Sequence, residues 1–144
     1  MKPEDKQLLL ADLCARLPYG VKFKWCDGLY DDYYTFIGID EQYIIGRSAG
    51  GDEILFIIGE DDVKPYLRPM SSMTEEEYDE MFQQLYSAQD EFFRNCSNTD
   101  TIGKTITYDL VRYDWLNKNM FDYRGLIPKD LALSTEEFNP YIED

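Results

Sequence analysis

Carboxylates are the reactive groups this sequence offers in greatest number. Asp31-Asp32, Asp40-Glu41, Asp52-Glu53 and Glu60-Asp61-Asp62 fall at intervals within residues 31–62. Acids gathered at one end of a sheet could converge on Mg²⁺ or Ca²⁺, hard cations that take oxygen ligands. Two of them could equally form the acid–base pair of a hydrolase. No EF-hand spacing accompanies them, however. Turns also collect aspartates for a plainer reason, because the side chain accepts hydrogen bonds from nearby backbone N–H groups. The sequence offers no way to choose a pair, so no catalytic, cofactor-binding or metal-ligating residue is assigned.

Histidine is absent. That removes the usual general base, the commonest metal ligand and every triad that needs imidazole. Cys14, Cys26 and Cys96 are odd in number and lack C-x-x-C spacing, which argues against a disulfide framework or a zinc cluster. Cys14 is expected on the inner, leucine-bearing side of the first helix as an inert thiol. Gly46, Gly50 and Gly51 in "GRSAGGD" suggest a phosphate loop, but Asp52 stands where that motif carries lysine. A strand also follows where a helix is required, so a hairpin loop is expected.

Two polar–aromatic clusters could serve recognition. Arg68 lies beside Tyr66, with Met70 and Met73 following, a combination that suits an adaptable surface. Asp114, Trp115, Asp122, Tyr123 and Arg124 surround the final helix, and Trp, Tyr and Arg are the usual interface anchors. The same residue types are common at the margin of an ordinary core. The candidate interaction surface is therefore Tyr66, Arg68, Met70, Asp114, Trp115, Tyr123 and Arg124.

These residues need a scaffold. Pro3, Glu4 and Asp5 suit the start of a helix on which Leu9, Leu13 and Leu17 recur every four residues, with Pro18 and Gly20 stopping it. Val21, Phe23 and Trp25 alternate with polar neighbours, predicting a strand. Residues 33–39, 42–47 and 53–59 predict three more. The connections are too short for parallel crossovers, so an antiparallel meander is expected. Pro65 and Pro69 predict an edge segment or extended loop over 63–71. Thr74 with Glu77, or Ser72 with Glu75, predicts a capping box. The helix it opens carries Tyr78, Met81, Phe82, Leu85 and Phe92 to about residue 94. A polar loop (95–103), a short strand at 104–108 and a third helix over 108–119 follow, the last ended by Asn119 in a left-handed conformation.

The expected fold class is α+β, with about four strands and about three helices in a single domain over 1–133. Residues 134–144 are expected as an acidic, loosely held tail. With 144 residues, 44% hydrophobic and 15% aromatic, the chain can bury a core without staples. The N-terminal segment has no signal-peptide core, and a cytoplasmic location is the default. A balance of 29 acidic against 14 basic residues gives a net charge of −15, heavier in the second half. That field repels nucleic acid and anionic membrane and favours a basic protein partner, although solubility alone would also explain it.

Three segments, "LADLCARLPYGVK" (10–22), "VKPYLRPMSSMTEEE" (63–77) and "DWLNKNMFDYRGLIPKDLAL" (114–133), resemble a family of short, uncharacterised gut-bacterial proteins often associated with prophages or other mobile elements. The resemblance covers about a third of the chain and implies context, a small accessory protein, without implying an activity or site. The leading expectation is a non-catalytic, acidic protein-binding accessory or inhibitor module. A carboxylate-dependent hydrolase or metal-binding enzyme and a structural subunit of an assembly are the alternatives.

Overall fold

The computed structural model describes residues 1–28, 32–95 and 101–142, with the backbone alone over 89–95 and 101–108. Helix α1 (Pro3–Ala15) opens with Pro3, whose missing N–H is one the first turn leaves unbonded anyway. Strands β1 (Lys22–Trp25), β2 (Tyr33–Asp40), β3 (Tyr43–Arg47), β4 (Glu53–Ile57) and β5 (Val63–Leu67) follow. A helical hairpin of α2 (Glu75–Asn95) and α3 (Thr101–Lys118) comes next, and β6 (Leu133–Ser134) closes the chain.

The expected α+β class and four-strand antiparallel meander are present, but the sheet is larger. Among the described residues its order is β4-β3-β2-β1-β5-β6, six strands and mixed, since β6 runs parallel to β5. The prolines had suggested an edge segment or loop, yet β5 is a full strand, antiparallel to β1 with Pro65 opposite Phe23. The proline is tolerated because β6 pairs only with Tyr66 and Leu67, beyond it. Residues 104–108, expected as a strand, lie within α3. The β-branched residues there follow the helix they continue, a case of context overriding weak local preference. Of the polar loop expected over 95–103, residues 96–100 lie outside the described residues, whereas Asn95 ends α2 and residues 101–103 open α3, helix where a loop was expected.

One face of the sheet carries the main core. Phe23, Phe36, Ile44 and Phe56 pack with Leu9 and Leu13 of α1 and with Met120, Leu126 and Leu131 of the segment after α3. The packing is close enough that a Cβ on Gly46 would lie 2.6 Å from the Phe23 ring. Leu17, expected to extend the α1 stripe, is 39% exposed in the short helical turn after it. Cys14 is exposed as well, correcting the expectation of an inner thiol. The "GRSAGGD" segment is the β3–β4 hairpin, closed by Ser48 N–H donating to the Asp52 carbonyl at 2.8 Å.

A second core lies in the hairpin, where Met81 and Leu85 of α2 meet Trp115, Leu116 and Phe121. Helix α3 ends with Met120, rather than Asn119, in the left-handed region at φ 62°. The Phe121 N–H reaches the Leu116 carbonyl at 2.9 Å and the Met120 N–H reaches Asn117 at 3.1 Å. This paired bonding terminates a helix and normally selects glycine at the left-handed position. Here the methionine side chain is buried in the sheet core, which offsets the backbone cost.

Residues 134–142, expected as a loose tail, run beside β5 and over the outer sheet face. The Tyr141 hydroxyl donates to the Tyr66 carbonyl at 2.8 Å and accepts the Lys22 N–H at 2.9 Å. Phe138 packs against Tyr66 and Tyr33.

Candidate functional site

The sequence-derived residues divide among several environments. Tyr66 is buried beneath Phe138 and Tyr141. Trp115 is buried and stacks on Phe121 at 5.7 Å. Asp114 is exposed and accepts a hydrogen bond from the Tyr19 hydroxyl. The remaining four, Arg68, Met70, Tyr123 and Arg124, lie where the sheet, α1 and the hairpin meet.

Arg124 and Tyr123 belong to a polar network that the sequence did not announce. Asp12 on α1 and Arg16, the residue that caps its end one turn later, are both completely buried. Arg16 Nε and Nη2 donate to the two Asp12 oxygens, each at 3.0 Å. Nη2 also reaches the Phe121 carbonyl at 2.6 Å. Arg124 Nη1 donates to Asp12 Oδ1 at 2.8 Å, so one carboxylate serves two guanidinium groups. Tyr123 is flanked by both arginines, 4.4 Å from Arg124 and 5.6 Å from Arg16, and its hydroxyl donates to Asn117. The i,i+4 spacing of an acid and an arginine was visible, but it reads as an exposed pair until the fold buries it. Asp122, also buried, accepts the N–H groups of Leu126 and Ile127, each at 2.8 Å.

Arg68 holds the start of α2. Its Nη1 and Nη2 donate to both Glu77 oxygens, at 2.5 and 2.8 Å, while its plane lies 4.2 Å from the Phe121 ring centre. Glu77 also closes the capping box expected with Thr74. It accepts the Thr74 N–H and its own N–H reaches the Thr74 hydroxyl, both at 3.1 Å. The Arg68 hydrogen bonds are the main reason its carboxyl is lowered to about 2.

Beside this clamp the surface opens. A groove of about 320 Å³ is lined by Met70 and Met73, by Tyr78 and Met81 of α2, and by Arg112, Tyr113, Leu116 and Tyr123 across from them. It adjoins a hollow of about 550 Å³ that shares Met70, Met73 and Tyr78 and adds Glu75 and Asp79. Met70 and Tyr123, drawn from the two separate sequence clusters, thus meet in one place. Met70 is 43% exposed. The lining suits adaptable apolar contact, since unbranched methionine repacks easily and tyrosine offers area at low entropic cost.

The turn acids are placed differently. Asp61 accepts the Ile57 N–H at 2.8 Å and Asp27 accepts the Asp62 N–H at 2.9 Å, so both shape turns. Glu53 pairs with Arg47. Among the described residues no three acidic or thiol side chains converge as metal ligands; Asp31 lies outside them. Nor is any described helix long and apolar enough to cross a membrane. Burial, with the nearby Asp62 adding to it, raises the Cys26 thiol, and the slight burial that the exposed Cys14 retains raises that one; both shifts disfavour the reactive thiolate. No family model matches the chain, and no curated protein or solved structure matches it either.

Proposed function

We propose that this chain is a non-catalytic, acidic protein-binding module that engages a basic protein partner. The observation that carries the reading is the open methionine–tyrosine groove on a chain of net charge −15. Apolar lining supplies contact area, while the field steers a cationic partner and repels nucleic acid and anionic lipid. The resemblance to mobile-element proteins gives the context: a cytoplasmic accessory factor or inhibitor.

The test is recovery of partners on a tagged chain at low and at high salt, with retained proteins identified. A stoichiometric basic partner that is weakened by salt supports the reading, because exposed charges are screened as ionic strength rises. A partner whose affinity ignores salt would sink the electrostatic part. An empty bait at both salts would remove the module reading.

A further inference from the structure

Three aromatic side chains stand in one row on α2. Tyr78, Phe82 and Tyr86 are four residues apart, with successive ring centres at 4.7 and 6.3 Å. The row therefore climbs roughly 12 Å along the helix. Phe82 leans on the hairpin core, whereas Tyr78 and Tyr86 are 50% and 63% exposed. At its foot, Tyr78 forms part of the groove with Met70, Met73 and Tyr123.

An acidic row runs alongside. Glu75 and Asp79 are also four residues apart and line the adjoining hollow with Tyr78. Glu77 is committed to Arg68, but neither Glu75 nor Asp79 has a cationic partner among the described residues. The capping box explains Glu77 and gives these two carboxylates no such role.

We infer that the groove and the aromatic row form one docking track for a basic amphipathic helix of a partner protein. This deepens the binding-module reading and rests on it. The occupant is a helix because no strand contributes to the lining of the groove or hollow, so a partner's main chain finds no sheet edge to pair with. It must satisfy its own backbone and be recognised by side chains. The four-residue spacing of both rows matches the i, i+4 steps along a helix face. Its apolar residues lie on the tyrosines and methionines, and Lys or Arg one row over meets Glu75 and Asp79.

The probe is a labelled peptide of about 18 residues, five helical turns, with leucines on one face and lysines elsewhere. A scrambled peptide of the same composition is the control. Titration into the full chain, followed by fluorescence anisotropy, is expected to favour the ordered peptide by about tenfold or more. Combining Tyr78→Ala with Tyr86→Ala should weaken it by about tenfold. Glu75→Gln with Asp79→Asn should weaken it and flatten its salt dependence. Leu55→Ala, at an exposed position on β4, should change nothing, and circular dichroism checks that each variant is folded.

Equal binding of ordered and scrambled peptides would mean simple adsorption of a polycation and would overturn the inference. So would indifference to Tyr78→Ala with Tyr86→Ala in a folded chain. A cellular partner that this variant still retains would overturn the track while leaving the module reading intact. A bait that recovers no partner while the peptide still discriminates would fail the module reading and leave the track standing.

Discussion

In the sheet, Phe23, Phe36, Ile44 and Phe56 face inward from four neighbouring strands, none more than 2% exposed. In the hairpin, Met81, Leu85 and Trp115 are buried while Tyr78 and Tyr86 stay outside. The sheet hides its inner face beneath α1 and the segment over 120–132. At the hairpin's base α2 has chiefly α3 and Phe121 to cover it, and its apolar arc is wider than they cover. One region spends its aromatics on stability, and the other keeps some at the surface where a partner can reach them.

The sharpest way to break this contrast is to cut what joins the two regions. Asp12→Ala leaves Arg16 buried without its carboxylate and should lower unfolding free energy by about 3–5 kcal/mol in urea titration. Replacing both, Asp12→Leu with Arg16→Met, should cost less, because the one guanidinium then left without the carboxylate, Arg124, is partly exposed rather than fully buried.

Leu85→Ala comes next, at about 2–5 kcal/mol. The two tryptophans make it informative, since Trp25 packs against the sheet core and Trp115 lies in the hairpin core. Trp25→Phe and Trp115→Phe variants each leave one reporter. Their fluorescence transitions should coincide, because Arg16 and Arg68 tie the regions together; separate midpoints would show two independent units.

Glu77→Gln keeps a capping side chain but removes the charge facing Arg68, and should cost about 1–2 kcal/mol at neutral pH. A carboxyl lowered in the folded state stabilises above its unfolded pKa. The deficit of the variant should therefore be full above pH 4.5 and vanish as pH falls towards about 2. Glu75→Gln with Asp79→Asn, unpaired among the described residues by contrast, should change stability by about 0.5 kcal/mol or less. Measured together, the two variants separate a carboxylate that holds the fold from two that do not.

What the sequence revealed followed from local periodicity and caps. The alternation around Phe23, the Thr74–Glu77 box and the β3–β4 hairpin were all readable, because each is decided within a few residues. Three features were not. Pro65 masked β5, whose acceptance depends on which neighbour pairs beyond it. Met120 took the left-handed position because a distant core receives its side chain. The Asp12–Arg16–Arg124 network spans more than a hundred residues, so spacing on α1 could not expose it. At the groove, residue types were legible, but the meeting of Met70 with Tyr123 required the fold.

Arg68 also sets how load travels through the molecule. Its N–H donates to the Met120 carbonyl and its carbonyl accepts from Asp122, so the chain entering the hairpin and the chain leaving it are stitched at one level. The helices beyond behave as a lever clamped at its base. A force applied to the far part of α2 is delivered, with mechanical advantage, to the bridge between Arg68 and Phe121. Pulled from the hairpin, the fold is expected to open at that stitch before any strand slides past its neighbour.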